Sequence, residues 1–393
     1  LSALAVLPPI GRIGRYDVLG KLATGGVAEI YVGRMTGPQD VSRLVVLKRI
    51  HPGLSESSVV KRDFLHEARL MLRLSHPNLV AVHDVGEDDA GLFLAMEWVR
   101  GPSLRKVVEA AKARGGMPIP LVVSLFADLA GALHHVHTAT DEAGRPLRIV
   151  HRDVNPENVV IGWGGIAKLL DFGVAKSDES AKKTDAGVVK GKYGYMAPEQ
   201  WNGEAVDARS DLFALAVTLH EALTGQPLYE RPTPMATMAA IVLEPEAPSV
   251  RETRPEVPEA LDRIVRRGLA KKPDERYASA AELRADLEKV ASAFSPEAHA
   301  GQAKENALAR HLEALFPGES RREPVLDRKP PSVRFVPVAV RAEPTPLDLQ
   351  LAAEAELEGD AMLREQRSRA RVVALLVALV VIGTIAFVVV NLR

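Results

Sequence analysis

Near residue 100 the chain changes its hydrophobic period, and that change limits the folds open to it. From Tyr16 to about Met96 the apolar residues fall in short segments of two-residue alternation, "AEIYVGR", "LVVLKRI" and "GLFLAMEWV", set off by turns such as "EDDAG" and by one helical stretch. From about Pro102 to Ala293 the spacing is helical, with "LVVSLFADLAGALHHVH" amphipathic and "DLFALAVTLHEALTG" apolar nearly all round. A helix without a polar face has to be buried, so the second should lie at the centre of its lobe, stopped by Gly225. The expectation is an α+β chain of two lobes, a small β-rich one over about 16–96 and a larger helical one over about 100–293.

Composition excludes several classes of chemistry. The chain has no cysteine, so disulfides, Cys-ligated zinc and thiol nucleophiles are ruled out. Its 50 Lys and Arg against 51 Asp and Glu give a net charge of −1. No global field therefore draws it to nucleic acid, and no nucleic-acid partner is expected.

The segment Val372 to Val390 is an uninterrupted apolar run of 19 residues. At ~1.5 Å per residue it matches a hydrocarbon core of roughly 30 Å, so a transmembrane helix is expected over 372–390. Arg364, Arg367, Arg369 and Arg371 precede it. The positive-inside bias predicts a single pass through the cell membrane with residues 1–371 in the cytoplasm. The run is then either a C-terminal anchor or the stem of an outer domain that this sequence does not include. Residues 294–371 read as a cytoplasmic juxtamembrane linker. Within it, "SPEAHAGQAKENALARHLEALFP" can form one more helix, and the Pro- and charge-rich stretch from Gly318 looks flexible. Residues 1–15 form a separate N-terminal segment.

Two charged residues stand on faces that should be apolar. Lys48 shares a strand face with Val46 and Ile50, while Leu47 and Arg49 point the other way. Glu67 falls on the helical stripe Val60, Phe64, Met71, Leu74. An unpaired buried charge is costly, and pairing Lys48 with Glu67 resolves both anomalies. Further on, "HRDVNPENVV" carries Asp153 and Asn158, and "AKLLDFGVAK" carries Asp171 after another apolar strand. Two carboxylates, an amide and an inward Lys-Glu pair form a set suited to a metal-bound nucleoside triphosphate.

With these residues in place the chain resembles the eukaryotic-type (Hanks-type) serine/threonine protein kinases, in their bacterial membrane-anchored form. The resemblance covers roughly Tyr16 to Ala293 and rests on an ordered series: "LKRI", Glu67 on the next helix, "MEWV", "HRDVNPEN", "DFG", "APE", "SDLFALAV" and "DERY". It implies a bilobal kinase fold with ATP and Mg²⁺ as cofactors and proteins as substrates. It further implies autophosphorylation, for which a homodimer would serve. Lys48 would hold the α- and β-phosphates and pair with Glu67, Asp153 would be the catalytic base, and Asn158 and Asp171 would bind the metal. Leu22, Ala23, Thr24, Gly25, Gly26, Val27, Ala28, Glu29, Ile30, Val46, Met96, Glu97, Val99 and Val160 would surround the nucleotide, with Met96 as gatekeeper. Glu199 would brace Arg276, and Asp211 would be structural. Arg152 would receive an activation-loop phosphate, for which Thr184 is the expected site.

Two departures from the family pattern bear on activity. The Gly-rich loop reads "ATGGVA", keeping only Gly25 in place, with Ala23 and Ala28 at the flanking glycine positions. A lysine usual two residues after the catalytic Asp is replaced by Asn155, and Lys192 stands where a threonine is usual before "APE". The expectation is that Lys192 relocates the missing charge, reaching back toward Asp153 with Asn155 hydrogen-bonded to it. The alternative to an active kinase is a membrane-tethered pseudokinase scaffold.

Overall fold

The computed structural model describes residues 7–38, 41–172, 192–244, 247–294 and 301–331. The small lobe is an antiparallel six-stranded sheet in the order β1-β2-β3-β4-β6-β5. Its strands are β1 (Gly11–Ile13), β2 (Tyr16–Thr24), β3 (Ala28–Thr36), β4 (Ser42–Ile50), β5 (Val82–Asp88) and β6 (Gly91–Glu97). Helix α1 (Ser58–Met71) is inserted between β4 and β5. It starts at Ser57, whose hydroxyl accepts from the Val60 N–H, and it buries Phe64, Glu67, Ala68 and Met71. The alternation read from the sequence holds in β4. Leu47 is buried on one face with Tyr31, Phe93 and Ala95, and Lys48 looks the other way, toward α1.

The large lobe begins with α2 (Leu104–Lys112) and α3 (Ile119–His137), followed by the short hairpin of β7 (Val159–Ile161) and β8 (Ala167–Leu169). It continues with α4 (Pro198–Asn202), α5 (Ala208–Thr224), α6 (Pro234–Leu243), α7 (Val250–Thr253), α8 (Glu259–Gly268) and α9 (Ala280–Phe294). Every residue of α5 from Ser210 to Leu223 is buried, and the helix ends in left-handed Gly225 with φ 73°. Among the described residues α3 is the helix long and apolar enough to cross a membrane. Its burial against α5 and α9 in the lobe core accounts for that composition. The apolar run 372–390 lies outside the described residues.

One further helix, α10 (Gly301–Leu315), follows α9, as the spacing of its sequence predicts. The Pro- and charge-rich residues after it depart from the linker expectation, because the chain through Pro331 packs on both lobes. Leu326 joins the cluster of Leu19 and Val32 in the small lobe. Asp327 pairs with Lys21 of β2 through two backbone hydrogen bonds. A linker signal read from composition cannot register contacts with residues three hundred positions away.

Candidate active site

The cleft between the lobes is built around Lys48. Its Nζ lies 2.9 Å from Glu67 Oε1 and 3.1 Å from Asp171 Oδ1. Burial alone would lower the Lys48 ammonium, but Asp171 and Glu67 outweigh it and hold the group above the usual lysine range. Burial pushes the Glu67 carboxyl up, opposed by Lys48 and reinforced by Asp171 and Asp153. The pair inferred from β4 and α1 is therefore present, with Asp171 as a third member that the sequence analysis placed only at the metal.

Asp153 sits in a loop fixed from below. Asp211 at the start of α5 accepts the backbone N–H groups of His151 and Arg152, at 2.8 Å each. It also faces His137 Nε2 at 2.8 Å. Burial tends to raise the Asp211 carboxyl, yet His137, His151 and the backbone donors hold it below the usual range. These bonds stabilise a left-handed Arg152, φ 64°, which a non-glycine residue adopts only at a cost. His151 is buried, its Nδ1 accepts from the Asp153 N–H and its Nε2 faces the Leu170 carbonyl at 2.8 Å. Burial lowers its pKa, so it is a neutral strut between the loop and β8.

Two amides aim the Asp153 carboxylate. Asn158 Nδ2 donates to Asp153 Oδ2 at 2.9 Å, and Asn155 Nδ2 donates to Oδ1 at 3.1 Å. Asn158 thus spends its nitrogen on Asp153, and its carbonyl oxygen is the atom that could hold a cation. Asp171 has φ 27° and lines the cleft. One amide oxygen and one carboxylate are hard donors that fit a divalent cation with several water ligands.

Asn155 is 1% exposed and its side chain is saturated. Its nitrogen serves the Asp153 carbonyl and carboxylate, and its oxygen accepts the N–H groups of Glu157 and Asn158. An amide has two donors and two acceptor sites. These bonds occupy all four sites of the Asn155 amide, and the expected bond to Lys192 involves a side chain outside the described residues. Lys192 opens a single helical turn, Lys192–Tyr195, and its side chain lies outside the described residues, as does Thr184.

The cavity between the lobes measures about 630 Å³ and is lined by Leu22, Ile30, Val46, Met96, Glu97, Val99 and Val160 among the residues expected around the nucleotide. Ala23 to Glu29 form the hairpin tip above it without lining it. Gly25 N–H donates to the Ala28 carbonyl at 2.9 Å, and His51 Nε2 faces the Gly25 carbonyl at 2.8 Å. Neither Ala23 nor Ala28 has positive φ, so both alanines fit the turn without strain. The Glu29 carboxylate accepts from Tyr31 Oη at 2.8 Å and Lys21 Nζ at 3.2 Å. Val80, Trp98, Arg100, Gly101, Pro102, Lys106, Trp163 and Leu170 also line it without having been legible in the sequence, as do Phe316, Glu319, Arg322, Glu323 and Pro324.

Away from the cleft, Glu199 and Arg276 form the expected brace. The guanidinium meets the carboxylate through two parallel bonds of 2.7 Å.

The family model for the protein kinase domain matches residues 16–286. The chain belongs to the protein kinase family. It is 39% identical to the tyrosine-protein kinase MasK of Myxococcus xanthus, over 71% of this chain and 43% of that one. It is 34% identical to the serine/threonine-protein kinase PknH of Mycobacterium bovis, over 84% of this chain and 52% of that one. The chain spans about half the length of these relatives. Among solved structures, the Mycobacterium tuberculosis PknI kinase domain superposes with a TM-score of 0.54 at 28% identity, covering 72% of this chain and 99% of that one. The bilobal fold expected from the change of period is the protein kinase fold.

Proposed function

We propose that this protein transfers the γ-phosphoryl group of Mg-ATP to serine and threonine hydroxyls of proteins, itself included. The observation that carries this reading is Lys48 held between Glu67 and Asp171, across the cleft from an Asp153 carboxylate aimed by two amides. A binding scaffold has no chemical need for all of these residues, which disfavours the pseudokinase.

In this reading adenine enters the apolar cavity between Leu22, Val46 and Met96, against the backbone of Glu97 and Val99. Lys48 donates to the α- and β-phosphates, and Glu67 keeps its ammonium in the cleft. Asn158 and Asp171 would hold Mg²⁺, which would supply positive charge to the phosphate oxygens. The acceptor oxygen bonds to the γ-phosphorus as the bond to the β–γ bridging oxygen breaks. Asp153 takes the hydroxyl proton, and ADP is the leaving group. The amide donors of Asn155 and Asn158 keep the Asp153 carboxylate oriented for that transfer.

The test is phosphoryl transfer from Mg-ATP by the full chain beside Asp153→Asn, read by intact mass and phosphosite mapping. Phosphate gained by the parent alone supports the reading, and a parent that binds ATP without gaining or passing phosphate sinks it. The same mapping decides the acceptor class. The name of MasK specifies tyrosine and that of PknH serine/threonine, so phosphotyrosine alone would replace the acceptor proposed here.

Three further parts belong to this proposal. Phosphate on Thr184 would dock beside Arg152, where Arg62, His66, Arg69 and Arg148 line a cavity of about 490 Å³. Lys192 would supply the cation missing at position 155, and an unchanged rate in Lys192→Thr would end that idea. The run 372–390 would anchor the protein in the cell membrane with the kinase domain in the cytoplasm, where a homodimer would serve autophosphorylation in trans. Fractionation of the full chain against a form lacking the run checks the anchor.

A further inference from the structure

Residues 301–331 lie beyond the segment that matches the kinase domain, yet they form part of the nucleotide cavity. Helix α10 is seated on the large lobe. Lys304 Nζ lies 2.6 Å from Asp128 Oδ1, and Leu308 and Leu312 are buried. The helix comes so close to the β7–β8 turn that a Cβ on Gly165, φ 86°, would lie 2.0 Å from the Glu305 carbonyl oxygen.

After α10 the chain passes along the mouth of the cleft. The Phe316 ring meets Trp163 edge-on, with centroids 6.1 Å apart. At the hinge, Arg100 donates to the Arg322 carbonyl at 3.0 Å and lies 3.5 Å from Glu323 Oε2. On the small lobe the Lys21 N–H donates to the Asp327 carbonyl at 2.8 Å and the Asp327 N–H donates back at 3.0 Å. Leu326 covers Gly20, where an added Cβ would lie 2.6 Å from the leucine Cβ. Lys21 is the neighbour of Leu22, which lines the cavity from above.

We propose that residues 316–327 are a built-in wall of the nucleotide site, a strap whose seat depends on the closed arrangement of both lobes. Phe316 and Pro324 face the same cavity as the hinge residues Trp98 and Val99. A nucleotide in that cavity contacts both lobes, and so does the strap. Each therefore stabilises the arrangement the other requires, and nucleotide affinity and strap docking are linked. The inference rests on the cavity being the ATP site.

The experiment measures adenosine and ATP affinity by calorimetry on the full chain, with Phe316→Ala, Leu326→Asp and Lys48→Met beside the parent. Phe316→Ala removes the wall beside Trp163, and Leu326→Asp releases the strap from the small lobe. Both should weaken adenosine by about five- to tenfold, and Phe316→Ala should weaken ATP by the same factor, because the ring it removes is uncharged. Lys48→Met should weaken ATP only. Kinetically, the KM for ATP should rise in both strap variants while the KM for the protein acceptor stays within twofold. Hydrogen exchange at residues 321–327 of the parent should slow when adenosine binds. If Leu326→Asp fails to fold, Phe316→Ala and the exchange measurement still decide. Affinities within twofold of the parent, with exchange unmoved by adenosine, would overturn the strap while leaving the ATP site intact. A parent that binds neither ligand would overturn the ATP site itself, and the strap with it.

Discussion

Asn155 Nδ2 lies 3.1 Å from Oδ1 of the catalytic-base candidate Asp153, in a position where the family usually carries a lysine. The chain has exchanged a cation directed at the phosphoryl group for an amide that tightens its own loop. Asn155→Ala should leave the Glu157 N–H without its side-chain acceptor and Asp153 without one amide donor, while the Asn158 N–H keeps the Asn155 backbone carbonyl at 3.1 Å, at a cost of about 1 kcal/mol for each lost bond. The turnover number is expected to fall about tenfold or more with the KM for ATP within threefold, because Asp153 loses alignment while Lys48 is untouched. Steady-state kinetics with ATP varied checks this split.

Glu67→Gln tests the division of Lys48 between its two partners. With Glu67 neutral, Asp171 at 3.1 Å is the remaining anion. It should hold Lys48 in the fold but compete with ATP phosphates for the ammonium. Thermal stability is expected to change little, while kcat/KM for ATP falls by about tenfold or more. A melting scan and initial rates on the same preparation separate the two effects.

The Glu199–Arg276 brace is almost fully buried, with side chains 3% and 0% exposed. Arg276→Met leaves the Glu199 charge with only the Ser210 hydroxyl as a side-chain hydrogen-bond partner among the described residues. Removing one member of such a pair costs about 3–5 kcal/mol. Urea unfolding should show that loss, and adding Glu199→Gln to Arg276→Met should recover part of it.

His220 on α5 gives a pH dependence with a definite sign. Its ring is 5% exposed, and neither ring nitrogen has a hydrogen-bond partner among the described residues. Burial lowers its pKa to about 4, opposed by Asp262 of α8. The unfolded chain takes a proton near pH 6.5 and the folded chain does not, so stability is fully present above that pH and falls as the pH drops toward 4. The shift corresponds to about 3 kcal/mol. Denaturant titrations of the parent and His220→Leu at pH 7.5 and 4.5 should show a smaller acid loss in the variant, by roughly 2–3 kcal/mol.

The sequence by itself determined the two lobes, the buried position of α5 and the pairing of Lys48 with Glu67. Each follows from a period or a charge on the wrong face, which are properties of neighbouring residues. The ordered motifs likewise located Asp153, Asn158, Asp171, Glu199 and Arg276. Tertiary structure decided what those patterns do not encode. Asn155 has the same local neighbours whether its amide faces a phosphate or its own loop, and only the bonds to Asp153, Glu157 and Asn158 select the second. Glu29 sits in the loop that resembles a phosphate cradle, but Tyr31 and Lys21 claim its carboxylate. The strap is the largest such case. Phe316 and Leu326 are too sparse among prolines and charges to form a periodic signal, and their partners Trp163 and Leu19 lie 153 and 307 positions away. Contacts of that range come only from the folded arrangement of both lobes, which supplies the apolar surface that holds the segment in place.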